Sequence, residues 1–194
     1  MNPAVQTDSP QPTRAPGRLR NIVLIGFMGV GKSTVGRRIA ESLGFLFVDT
    51  DAEIVRASGK AIPEIFAERG EAGFRALESA TLRALASLGQ SGMVIATGGG
   101  VVTVDANRPL LRGLGFVVWL NADEETIYRR VRANTERPLV RTRNPRKTIH
   151  DLLAVRRPVY AKTAHMKVDT DSLTTEEISV GVSESARHHF ATPR

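Results

Sequence analysis

From Asn21 onward, short apolar runs alternate with longer segments in which apolar and polar residues mix. The runs at 22–25, 45–48, 94–96, 116–120 and 166–168 are candidate strands of a parallel sheet. The intervening segments repeat their apolar residues every three to four positions, as a helix with one buried face must. Helices are expected to begin at Lys32, Ala52, Ile62, Ala72, Asp123 and Ile149. A last one opens at Thr174, where Glu177 three residues on completes a capping box. Strands alternating with helical segments predict an α/β sandwich, a parallel sheet covered by helices. No internal repeat interrupts the pattern.

Residues 1–20 are rich in proline and polar residues and have no apolar period, so they are expected to form a disordered tail. Arginines beside prolines, Asp8 and the lack of an apolar stretch argue against a targeting peptide. The domain is expected over 21–187, with a short C-terminal tail at 188–194. At 194 residues, 41% hydrophobic, the chain has enough apolar surface for one globular core. Its apolar runs fall far short of the roughly 18 residues that a membrane span requires. The absence of cysteine excludes disulfides and thiolate chemistry. A soluble, cytoplasmic protein with no membrane partner is expected. The net charge of +7 points to anionic partners. Aromatic residues are few and are not interleaved with the basic clusters, so a stacking surface for nucleic acid is not expected.

Residues 26–33 read GFMGVGKS and satisfy G-x-x-x-x-G-K-[ST] directly between a predicted strand and a predicted helix, the context that the phosphate-binding loop demands. Glycines let backbone N–H groups converge on phosphate oxygens, and the positive end of the helix dipole adds to them. Gly29, Val30, Gly31, Lys32, Ser33 and Thr34 are therefore the candidate nucleotide cradle. Lys32 would supply a charge to the β- and γ-phosphates, and Ser33 a hydroxyl to Mg²⁺. The strand MVIA runs into Thr97 and three glycines rather than an acidic residue, so a metal-supporting carboxylate must come from elsewhere. Asp49 and Asp51 after the strand FLFV are the best source, and both would face the cleft if the extended geometry persisted. Taken alone, an Asp pair in this position is more often a turn and helix cap.

Taken together, GFMGVGKST, DTD, FR followed by Glu78, GGG, RPL and R-x-x-x-Y occur in the order found in shikimate kinases, and the resemblance spans residues 21–179. It implies a P-loop NTPase fold of the nucleoside-monophosphate-kinase-like type: a five-stranded parallel sheet flanked by helices, with a mobile lid. It also implies ATP and shikimate as substrates, Mg²⁺ as cofactor and a chain that acts as a monomer. By the same resemblance, Asp49 supports the metal with Ser33, and Asp51 holds the shikimate hydroxyls. Arg75 and Arg156 contact the shikimate carboxylate, Gly98, Gly99 and Gly100 let the backbone approach it, and Tyr160 completes the pattern around Arg156. Arg137 resembles the lid arginine that reaches the ATP phosphates, with Arg130 assisting. The catalytic set is then Lys32, Asp51 and Arg137. Two rival readings share some of these residues: a related small-molecule kinase such as gluconate kinase, and a noncatalytic sensor of aromatic acids.

Overall fold

The computed structural model describes residues 20–132 and 143–192. Within them, five strands form one parallel sheet: β1 (Ile22–Ile25), β2 (Leu46–Asp49), β3 (Met93–Ala96), β4 (Phe116–Asn121) and β5 (Met166–Asp169), in the order β2-β3-β1-β4-β5. The helices are α1 (Lys32–Leu43), α2 (Thr50–Ser58), α3 (Ile62–Ser87), α4 (Asn107–Leu114), α5 (Glu124–Arg132), α6 (Pro145–Thr163) and α7 (Thr175–Ala191). β1 lies between β3 and β4, which run on opposite sides of it. Sheet order reverses there, so the loop leaving β1 opens into the crevice where open α/β sheets bind ligands.

Side-chain alternation along β1 divides the core. Ile22 and Leu24 join Val35 and Ile39 of α1 and Ile178 and Val182 of α7 on one face. Val23 and Ile25 join Leu82 of α3, Leu111 and Leu114 of α4 and Tyr160 of α6 on the other. A smaller cluster of Ile54, Ile65 and Phe74 fastens α2 to α3. Before β1, the fully buried Asn21 donates to the carbonyls of Gln90 and Leu114 and accepts from Met93 N–H. Each hydrogen-bonding group of this amide is used, as burial requires.

Five features depart from the expected element boundaries. α6 starts at Pro145, four residues before Ile149, with Asn144 capping it by accepting from Lys147 N–H. α2 starts at Thr50, two residues early, because Asp49 caps it through Oδ1. The helices foreseen at Ile62 and Ala72 run together as α3, broken at Gly70, whose φ of 65° only glycine adopts without strain. α4 is an addition to the expected elements; it is only eight residues long, and Pro109 in its first turn reads in sequence as a break. α7 continues through His188 and His189 to Ala191, beyond the boundary expected at 187, because Phe190 packs against the core and His189 against Phe116. Residues 1–19, the greater part of the expected N-terminal tail, lie outside the described residues, and so do Arg137 and its neighbours at 133–142. No helix among the described residues is long and apolar enough to cross a membrane.

Candidate active site

The loop from β1 to α1 takes its shape from three glycines at positive φ: Gly26 (141°), Gly29 (80°) and Gly31 (94°). At Gly26 a side chain is also sterically excluded, since a Cβ would lie 2.2 Å from the Leu120 carbonyl oxygen. The helix that follows begins at Lys32 with no side-chain cap, leaving its first N–H groups for a ligand. Lys32 Nζ donates to the carbonyls of Gly26 and Phe27, at 2.9 and 2.8 Å, which folds the ammonium over the loop. A cleft of about 470 Å³ opens here, lined by residues 29–35, Asp49, Asp51, Thr97 and Arg130 on the loop side. Its far wall is Thr170, Leu173, Thr175 and Ile178. Arg130 donates weakly to the Gly29 carbonyl at 3.4 Å, which puts its charge beside the loop.

Asp49 ends β2 and does two jobs. Its Oδ1 accepts from the N–H groups of Asp51 and Ala52, while its Oδ2 accepts from Ser33 Oγ at 2.7 Å. Asp51 stands in the first turn of α2, not on extended chain. Both carboxylates border the cleft, but the helix cap rather than strand alternation brings them there.

Beyond the P-loop, the turn at 97–100 packs against it closely. A Cβ on Gly99 would approach Met28 N to 3.2 Å. A Cβ on Gly98 would lie 2.1 Å from Glu78 Oε1 and 2.8 Å from Asp51 Oδ1, and one on Gly100 would sit 2.3 Å from the Arg75 guanidinium. The three glycines thus bring Asp51, Arg75 and Glu78 against bare backbone. Arg156, 3% exposed, reaches the same turn with Nη1 3.4 Å from the Gly99 carbonyl and its guanidinium over the Phe27 ring.

Charge in this pocket is balanced from below. Arg75 binds Glu78 through Nη1 and Glu71 through Nη2, each at 2.7 Å. Burial works against the Arg75 charge, but the two glutamates outweigh it and hold the guanidinium above its ordinary pKa. Glu78 is 1% exposed, and burial, with Asp51 adding to it, lifts its carboxyl above the usual range although Arg75 and Arg156 pull the other way. Arg75 and Arg156 are the groups that bring positive charge to the turn.

The structure brings Asp51, Arg75 and Arg156 together around the turn at Gly98, Gly99 and Gly100, and places residues 29–34 with Asp49 and Asp51 on the adjoining cleft. Arg137 lies outside the described residues. Arg157, next to Arg156, is engaged elsewhere, with Ala122 O and Glu124. Phe66 and Phe74 stack on one another at 4.7 Å, in the α2–α3 cluster. Three parts of the site had no role assigned from sequence: Glu78 as the buried counter-charge, Thr50, whose Oγ1 accepts from Gly98 N–H, and the far wall of the nucleotide cleft. An i, i+3 pairing of Arg75 with Glu78 was legible, but its burial was not. His150 pairs with Glu124, and the described residues contain no group of three or more His, Asp or Glu poised for a metal.

A parallel sheet with a phosphate-binding loop at the end of its central strand, and with arginines and acidic side chains gathered at the neighbouring 97–100 turn, defines a P-loop protein. The shikimate kinase family model matches residues 28–186. The chain is 44% identical over 169 residues to the shikimate kinase of Thioalkalivibrio sulfidiphilus, covering 87% of this chain and 86% of that one. It is 47% identical over 153 residues to that of Pseudomonas fluorescens, covering 79% and 88%. The solved structure of shikimate kinase from Acinetobacter baumannii in complex with shikimate superposes with a TM-score of 0.84 at 38% identity, over 90% of this chain and 96% of that one. The chain belongs to the shikimate kinase family, and so to the ATP-dependent phosphotransferases.

Proposed function

We propose that this chain transfers the γ-phosphoryl group of Mg·ATP to the 3-hydroxyl of shikimate, releasing ADP and shikimate 3-phosphate, and that the residues assembled above do the work. One observation carries the reading: Asp51, Arg75, the three glycines and Arg156 come from four separate stretches of chain and meet beside the P-loop. Two guanidiniums suit the planar, two-oxygen geometry of a carboxylate better than ammonium groups would. Asp51 accepts hydrogen bonds from neighbouring hydroxyls and orients one of them for in-line attack. As the hydroxyl oxygen bonds to the γ-phosphorus and the bond to the β-phosphate oxygen breaks, the hydroxyl proton passes to Asp51 or to solvent.

Lys32 exchanges its contacts with the Gly26 and Phe27 carbonyls for the β- and γ-phosphates, which rest on the N–H groups of residues 29–34. Arg130 stands beside the loop and Arg137 joins it on the phosphates. The hydroxyl of Ser33 and the carboxylate of Asp49 form a hard oxygen donor pair that suits Mg²⁺, which when bound neutralises charge on the phosphate oxygens. The protein works as a cytoplasmic monomer, with no nucleic acid or membrane as partner.

A gluconate kinase would share the P-loop and need not keep Asp51, Arg75, the glycines and Arg156 together; a noncatalytic sensor would bind shikimate without turnover. A coupled assay of ADP release with shikimate, gluconate or nucleoside monophosphates separates the three. Rapid release with shikimate alone is expected. Equal rates with all three acceptors would overturn the assignment, and none with any of them would favour the sensor.

A further inference from the structure

Most backbone groups of the 97–100 turn have a settled destination. Thr97 N–H donates to Leu24 O, Gly98 N–H to Thr50 Oγ1, Gly98 O accepts from Val101 N–H, and Gly100 O accepts from Thr103. Gly99 O accepts from the hydroxyl of Tyr160 and, more weakly at 3.4 Å, from Arg156. Among the described residues the N–H groups of Gly99 and Gly100 have no protein partner. Buried donors left open in this way are rare in folded proteins unless a ligand or water takes them.

A trans peptide is planar, so its carbonyl and the next N–H point in opposite directions. Whatever anchors the Gly99 oxygen therefore also aims the Gly100 N–H, away from the anchor. Tyr160 is 1% exposed and its ring is stacked on Trp119 with centroids 5.7 Å apart, so the hydroxyl is delivered from a rigid base. Arg156 is a poorer anchor, because it must leave the Gly99 oxygen to meet a carboxylate with its full fork.

We infer that Tyr160 is a positioning residue for the acceptor: its hydroxyl fixes the Gly99–Gly100 peptide so that the Gly100 N–H is presented to the substrate while Arg156 is released to the carboxylate. The inference rests on the proposed acceptor site. Burial pushes the Tyr160 phenol well above its ordinary pKa, which keeps the hydroxyl a donor throughout the neutral range.

Tyr160→Phe removes only the hydroxyl and keeps the ring against Trp119. Its KM for shikimate should rise about three- to tenfold, the worth of one hydrogen bond, with kcat within about twofold of wild type. KM for ATP should not move. Thr163→Val is the control for a general loss of stability, because it deletes another buried hydroxyl of α6, which donates to Val159 O within its own helix. It should leave KM for shikimate unchanged. An unchanged KM in Tyr160→Phe, or equal changes for both substrates in both variants, overturns the role. If wild type turns over shikimate and Tyr160→Phe matches it, this inference alone fails; a wild type inactive on shikimate sinks the acceptor site and the inference together.

Discussion

Replacing Arg75 with alanine should cost stability as well as substrate recognition, and the structure allows the two losses to be separated. The Arg75 guanidinium lies 2.7 Å from Glu78 Oε2, where the glutamate side chain is 1% exposed. Removing it leaves a carboxylate buried beside Asp51 with only Arg156 in opposition. Stranding one member of a buried ion pair costs about 3–5 kcal/mol while the survivor stays charged. Glu78 can reduce that cost by taking up a proton, which its environment already favours. A native pKa raised above the ordinary 4.5 means that the folded state holds the proton more tightly than the unfolded chain. The contribution to stability is then intact below 4.5 and is lost as pH rises through the higher native value. Arg75→Ala moves that native value further up, so its deficit against wild type should be small near pH 5 and approach about 3 kcal/mol near pH 8. Urea unfolding at the two pH values reads the difference. The double variant Arg75→Ala/Glu78→Leu has no stranded charge, and at pH 8 it should regain most of the lost stability while its KM for shikimate stays high. A deficit that is the same at both pH values, or a double variant no more stable than the single one at pH 8, would refute the picture of Glu78 as the buried counter-charge.

Two further substitutions probe the two halves of the site. Lys32→Ala should fold and lower kcat/KM at least about a hundredfold, since a preorganised transition-state contact is worth about 3 kcal/mol; near-normal turnover by the folded variant would remove Lys32 from the mechanism. Gly98→Ala puts a methyl group 2.1 Å from Glu78 Oε1, so overpacking should cost about 1–3 kcal/mol in thermal or urea melts and abolish most shikimate turnover, with ADP affinity by titration calorimetry unchanged. Equal loss of ADP affinity would show that the glycine serves the nucleotide cleft instead.

The parts of this molecule that are legible in its sequence are those encoded locally. GFMGVGKS sits between a strand and a helix whose patterns are plain, and in the structure it forms the expected loop, with glycines at positive φ at 26, 29 and 31. All five strands match their expected positions to within a residue or two; β1, β3 and β4 are buried and read as short apolar runs, while the edge strands β2 and β5 are partly exposed. What the local pattern hides is created by packing. Asp49 caps a helix, the commoner reading of such a pair, and the same cap brings Asp49 and Asp51 to the cleft, which the local pattern does not show. Arg75 and Glu78 look like an ordinary exposed helix pair until α3 is laid against the 97–100 turn. Thr170, Leu173 and Ile178 enter the nucleotide cleft only because α7 packs beside α1, some 140 residues away in sequence, and no motif marks them.

Acceptor recognition is the central claim, and a neutral analogue tests it most directly. Shikimate and its carboxamide present the same ring and hydroxyls, and differ in the charge that Arg75 and Arg156 are proposed to read. Losing one partner of a desolvated charge pair costs about 2–5 kcal/mol, so wild-type kcat/KM should favour the acid at least about thirtyfold. In Arg75→Ala/Glu78→Leu, which removes the guanidinium without stranding its partner, the preference should shrink severalfold or more. The same strong preference in both enzymes would mean that Arg75 does not read the carboxylate.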